Sequence, residues 1–137
     1  MNERPTEFLE DGDVKKMLAT PDRRTLQGKR DDAVLRVLVE GGLREGEACA
    51  LLAGDLKEHQ GRWCLHFQSL KKRSGRTLKR QVPLADATVK TIRTYWAHAY
   101  GTQSPLGESP MFLTLGVRGP YKPAALTPKA LDGIVAR

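Results

Sequence analysis

Cysteine is scarce in this chain, long apolar runs are absent, and acidic residues are almost missing from its second half. Each shortage excludes something. Cys49 and Cys64 alone cannot build a disulfide framework, and no Cys-x-x-Cys or His/Cys cluster points to a bound metal. Purely apolar stretches are short, Val37-Leu38-Val39 among them, far below the ~20 residues that cross a bilayer. The opening Met1-Asn2-Glu3-Arg4-Pro5-Thr6-Glu7 has no apolar signal core, so secretion is not indicated. With glycine counted and tyrosine left out, apolar usage is roughly 46%, the range of ordinary folded domains, which argues against disorder along the whole chain. The expectation is a soluble, cytoplasmic, single-domain chain (residues 1–137) with no membrane attachment, metal or other cofactor.

Charge says more than size. The net charge is +7 and the pI is near 9.7, but the excess sits in one half. Residues 1–68 hold 11 Lys/Arg against 13 Asp/Glu, a balance of −2; residues 69–137 hold 12 against 3, a balance of +9. Clustered cations gain affinity for polyanions by releasing counterions condensed on phosphates, so nucleic acid is one partner this asymmetry suits. A merely basic, well-hydrated surface is the other reading.

Periodicity outlines the fold. Val14, Met17 and Leu18 fall on one face of a short helix after Phe8-Leu9, ended by Thr20-Pro21-Asp22. A longer helix is expected over Leu26–Glu40, with a stripe of Leu26, Ala33, Val34, Val37 and Leu38 and a stop at Gly41-Gly42. A third begins at Leu43-Arg44, turns Ala48, Leu51 and Leu52 inward, and breaks at Gly54. Trp63, Leu65 and Phe67 then alternate with Arg62, Cys64, His66 and Gln68, as in a half-buried strand. Thr77–Val82 returns as a second strand ending at Pro83, which makes a β-hairpin. A fourth helix spans Ala85–Tyr100 on Ala85, Val89, Ile92 and Trp96. Loops at Gly101–Pro110 and Gly116–Pro123 flank a buried extended segment, Met111-Phe112-Leu113. Thr127-Pro128 opens a last helix carrying Ala130, Leu131, Ile134 and Val135. The fold class is α+β, mainly helical, with a small antiparallel hairpin or sheet.

Two features could carry chemistry. Lys71, Lys72, Arg73, Arg76, Lys79 and Arg80 place six cations and no acid within ten residues. A two-stranded ribbon so charged can lie along a DNA groove and grip phosphates on both sides, which exceeds what protection of a sheet edge requires. Arg44 stands at a helix start, where the macrodipole disfavours a cation and favours Glu45 and Glu47. Taken alone, it is either neutralised by those glutamates or aimed at an anion.

The segment Gly41-Gly42-Leu43-Arg44-Glu45-Gly46-Glu47-Ala48-Cys49-Ala50-Leu51 resembles the first signature box of the tyrosine recombinases, or phage integrases. Gly28-Lys29-Arg30-Asp31-Asp32-Ala33-Val34-Leu35 upstream, Gly54-Asp55-Leu56 and Gln81-Val82-Pro83-Leu84 around the hairpin, and Leu126-Thr127-Pro128-Lys129-Ala130-Leu131 keep the family's order. The resemblance runs from about Thr6 to Arg137 and implies the catalytic core of a DNA breaking-and-rejoining enzyme, truncated. By that resemblance Arg44 binds non-bridging oxygens of the scissile phosphate, a task suited to its planar fork. Glu47 supports the box, and Asp55 is structural at the helix-to-hairpin junction. A lysine ending the first hairpin strand, Lys71 or alternatively Lys72, protonates the departing 5′-oxygen. Lys72, Arg73, Arg76, Lys79 and Arg80 are the expected DNA-binding residues. The partner is double-stranded DNA, and the resemblance allows homo-oligomers of the intact protein on it. No ATP or metal is required.

The family's second box, His-x-x-Arg followed by a tyrosine nucleophile, has no counterpart after the last helix. His59-Gln60-Gly61-Arg62 matches it literally but precedes the hairpin, so it reads as coincidence. Tyr95, Tyr100 and Tyr121 all come too early. The chain is thus expected to be the amino-terminal part of a recombinase catalytic domain from a mobile element, binding DNA without exchanging strands. The alternative is a stand-alone degenerate integrase-like DNA-binding module.

Overall fold

The computed structural model describes Leu18 and residues 21–70, 77–114 and 125–136. The expected helix at Val14–Met17 and the loop at 116–123 lie outside the described residues. Helix α1 (Leu26–Gly41) starts where Thr25 turns extended and its Oγ1 accepts the Gly28 N–H at 2.9 Å. It stops at Gly42, whose φ of 61° is left-handed and whose N–H donates to Leu38 O at 3.0 Å. The expected helix and its stop are therefore observed almost to the residue.

The burial of α1 exceeds one stripe. Leu35 is buried with Ala33, Val34, Val37 and Leu38, and so are the charged Arg30, Asp31 and Asp32. Buried charge is tolerated only when paired. Arg30 meets Asp31 at 2.9 Å and donates from Nη1 to Leu113 O; Asp32 takes Arg23 at 2.9 Å and Arg36 at 3.0 Å. The helix is central because α3 (Asp86–Tyr100) packs along it and the residues beyond Pro110 close over its amino-terminal half.

After Gly42 the chain forms α2 (Glu45–Cys49), a 3₁₀ turn (Ala53–Asp55) and then a three-stranded antiparallel sheet. Its strands are β1 (Leu56–His59), β2 (Arg62–Leu70) and β3 (Thr77–Pro83), in the order β1-β2-β3. Helix α2 is shorter than the sequence suggests. Leu52 is 41% exposed rather than inward, because the chain leaves the helix and extends there to bridge Pro110. Gly54 N–H donates to Gly107 O at 2.9 Å and Met111 N–H to Leu51 O at 2.9 Å, which seats the 107–111 segment along the turn.

β1 adds a strand to the expected hairpin. It buries only Leu56 among four residues, so its periodicity is weak, and the edge of β2 supplies the missing drive through backbone pairing. His59-Gln60-Gly61-Arg62 is the turn between them: His59 pairs with Arg62, and both central residues have positive φ, 51° and 79°. Along β2, Leu65 and Phe67 face the core as expected, but Cys64 on the opposite face is buried too.

α3 buries Val89, Ile92 and Trp96 as expected, and Tyr95 as well, whereas Ala85 is the exposed N-cap. Ala85 offers no capping side chain. Glu40, at the end of α1, accepts the Ala85 N–H at 2.9 Å and the Thr88 hydroxyl. That ties the exit of β3 to the strand of chain leading into Arg44. Helix α4 (Pro128–Ala136) opens at Thr127, whose Oγ1 accepts the Ala130 N–H, and packs Leu131 and Ile134 inward near α2.

Candidate nucleic-acid interface

Arg44 stands on a rigid backbone mount. Leu43 before it is buried and Gly42 turns the chain out of α1, so Arg44 is held extended at φ −81°, ψ 158° with its side chain exposed. Its N–H donates to Glu47 Oε1 at 2.8 Å, and its carbonyl accepts the Ala48 N–H at 2.9 Å. Glu47 is itself only 3% exposed. A carboxylate bonded to the N-cap amide is half of a capping box, here with a cationic residue where a serine is usual. The guanidinium thus grows from a backbone root held by hydrogen bonds through both its N–H and its carbonyl.

Glu47 also lines a cleft of about 520 Å³ between the α2–3₁₀ segment and the sheet. Asp55 and Lys57 form one wall, and His66, Lys79 and Arg80 come from the paired strands. Asp55 Oδ2 accepts the Leu52 N–H at 2.8 Å and so closes the 3₁₀ turn at this junction. Strand register sets Arg80 opposite Phe67 and Lys79 opposite Gln68. The Arg80 guanidinium lies over the Phe67 ring, 5.4 Å from its centroid, an arrangement that orients a cation while leaving its N–H groups able to donate.

Of the cations singled out from the sequence, Arg44, Lys79 and Arg80 are described, and the last two line the cleft with Glu47, through which Arg44 is anchored, and Asp55. Lys71, Lys72, Arg73 and Arg76 lie outside the described residues. His66 and Lys57 were missed. Their signal was present for His66, since positions 64, 66 and 68 share a strand face. Lys57 had none, because β1 itself was not anticipated.

Neither described tyrosine is placed for nucleophilic work. The Tyr95 hydroxyl accepts the Leu113 N–H at 3.0 Å, and burial pushes its pKa up to about 12. Tyr100 donates to Pro110 O at 2.6 Å, and burial raises its pKa as well. Both bolt α3 to the segment following Pro110. Tyr121 lies outside the described residues. The Cys49 thiol is pushed up to about 11, chiefly by burial and then by the Glu45 and Asp132 charges, so it stays protonated near neutrality.

Comparison with known proteins shows the family and the fold. The profile of the phage integrase family matches residues 7–114. Tyrosine recombinase XerC of Pelotomaculum thermopropionicum is 31% identical over 99 residues, 72% of this chain and 30% of that protein. The putative integrase/recombinase y4rC of Sinorhizobium fredii is 38% identical over 88 residues, 64% of this chain and 25% of that one. The matched stretch thus spans less than a third of either relative. Among solved structures, XerA recombinase superposes with a TM-score of 0.59 over 93% of this chain and 40% of its own, at 18% identity. That likeness shows the fold: a small antiparallel sheet among helices.

Proposed function

The chain belongs to the phage integrase family of tyrosine recombinases, and from that premise we propose that it is the DNA-binding part of a site-specific recombinase. The intact enzyme would cut and rejoin duplex DNA through a 3′-phosphotyrosine. The observation that carries this reading is the mounting of Arg44 on buried Glu47, beside a cleft whose far wall presents Lys79 and Arg80. A planar guanidinium on a fixed root can hold two phosphate oxygens at once, and its attraction grows as negative charge builds in the phosphoryl-transfer transition state. Lys71, with Lys72 as alternate, protonates the departing 5′-oxygen. Lys72, Arg73, Arg76, Lys79 and Arg80 hold flanking phosphates and fix the register of the duplex.

The unit formed by residues 1–137 then supplies the first box and the basic hairpin of a catalytic domain. Covalent catalysis needs a nucleophile, and no residue of this chain is matched to one. The test is a fluorescence-anisotropy titration of a labelled duplex across salt concentrations. Binding should weaken with a log–log slope of about −0.9 per phosphate contact, and removing the charges of Lys71, Lys72 and Arg73 together should flatten it by up to about 2.7. No binding at low salt, or binding indifferent to those charges, refutes the reading. The engaged hydroxyls of Tyr95 and Tyr100 equally suit a degenerate, catalytically silent DNA-binding module. A coding frame that continues past Arg137 into His-x-x-Arg and a later tyrosine separates the enzyme from the module.

A further inference from the structure

One buried polar atom beside the cleft has no partner among the described residues. Nε2 of His66 is buried and has no hydrogen-bond partner among the described residues, although His66 lines the space of about 520 Å³ with Lys57, Gln68, Lys79 and Arg80. A buried nitrogen left unpaired forfeits its hydration and gains nothing in return, so native proteins keep few of them and those few need a reason. The sheet does not require a histidine here. Its cross-strand neighbour is Gln81, and an apolar or amide side chain would serve the same register.

The lining decides what could complete the hydrogen bond. Glu47 and Asp55 are the carboxylates of the wall, and each already accepts a main-chain N–H, from Arg44 and Leu52. Lys57, Lys79 and Arg80 are all cations, so the outstanding charge in the cleft is positive. Among the described residues, no three His, Cys, Asp or Glu side chains gather in a way that could hold a metal ion. An anionic oxygen is what remains. Because the cleft is open and continues into the cationic β3, a phosphate on an extended strand fits better than an enclosed small anion.

We propose that His66 is a DNA-contacting residue: a turn of its ring out of the buried position lets Nε2–H donate to a non-bridging phosphodiester oxygen lodged in this cleft, next to the phosphates held by Arg44 and the hairpin. The proposal rests on the DNA-binding reading above. It carries a signature that a purely structural histidine lacks. Removing an unpaired buried polar atom should leave the fold as stable or more stable, while DNA affinity falls.

The experiment uses the full chain and His66→Phe, with His59→Gln at the exposed β1–β2 turn as control. Anisotropy with a duplex of arbitrary sequence should show His66→Phe binding roughly three- to tenfold more weakly. Its melting temperature should be equal or higher, and His59→Gln should match the parent in both respects. Ring ¹⁵N resonances of His66 in the unmutated protein should move on adding duplex, a readout independent of any variant. If the parent binds DNA and Arg44→Ala weakens it while His66→Phe does not, His66 makes no such contact and only this proposal fails. If the parent does not bind at all, the DNA-binding reading fails first. Inorganic phosphate shifting the ring while duplex leaves it unmoved would make the cleft a free-anion site and overturn the phosphodiester assignment. A His66→Phe protein that loses stability together with affinity would make the histidine structural.

Discussion

Glu40→Ala should destabilise the fold well beyond what an exposed glutamate ordinarily contributes. The side chain accepts from the Ala85 N–H and from the hydroxyl of buried Thr88, so it performs for α3 the capping that Ala85 cannot. A hydrogen bond from a part-buried hydroxyl to a carboxylate is worth about 1.5 kcal/mol net, and the more exposed amide bond about 0.5. The negative charge at the helix amino terminus adds about 0.5 kcal/mol. The expected loss is therefore roughly 2–2.5 kcal/mol, or about 6–12 °C in melting temperature for a domain of this size. The decisive assay is a double-mutant cycle in urea or by calorimetry. Thr88→Val keeps the shape and removes the hydroxyl, so Glu40→Ala and Thr88→Val should couple by about 1 kcal/mol. A coupling below about 0.3 kcal/mol, or a Glu40→Ala protein melting within a degree or two of the parent, would refute the capping argument. The same loss should weaken DNA binding, because Glu40 joins the exit of β3 to the chain entering Arg44.

Gln60→Asn should raise stability by roughly 0.5–1 kcal/mol, read as a higher urea midpoint, because Gln60 holds a left-handed φ of 51° before Gly61 and Asn-Gly suits such turns best. Hydrogen bonding to Asp132, then burial and the Asp132 charge, raise the Glu45 carboxyl above its usual range. Stability from that raised group is full at low pH and is lost as pH climbs through its folded value. Asp132→Asn should accordingly raise the melting temperature at pH 7, with the gain shrinking below about pH 4.5. For Tyr95, pushed up to about 12, the same sign holds at alkaline pH. Its contribution, roughly 2–3 kcal/mol, should disappear between about pH 10 and 12, and Tyr95→Phe should flatten that part of the pH–stability curve. A Tyr95→Phe protein whose alkaline unfolding tracked the parent would show that another group governs it.

Much of the architecture was legible in the residues themselves. The period-3.6 stripe and Gly41-Gly42 defined α1, Thr127-Pro128 marked the start of α4, and the alternation at Trp63–Phe67 with Pro83 as terminator marked β2 and β3. These are local signals, written in spacing and in a few residues whose backbone preferences do not depend on distant partners. The candidate site was half legible. Arg44, Lys79 and Arg80 were visible as cations in informative places, whereas the cleft that relates them was not.

What the amino-acid sequence determined by itself is therefore the order and type of most elements, the concentration of positive charge in the second half, and the family resemblance around Arg44. Tertiary structure alone decided the rest. β1, with one buried residue, became a strand only because β2 offered an edge. Arg30, Asp31 and Asp32 became buried because α1 is enclosed, and Glu40 became a cap for a helix that begins 46 positions later. His66 acquired a buried nitrogen with no partner among the described residues, beside a cleft of mixed charge, only when the α2–3₁₀ segment closed over the sheet. The physical reason is common to all four. Periodicity reports which face a side chain turns away from water, but hydrogen-bond and charge partners are chosen through space, and that choice exists only once the chain is packed.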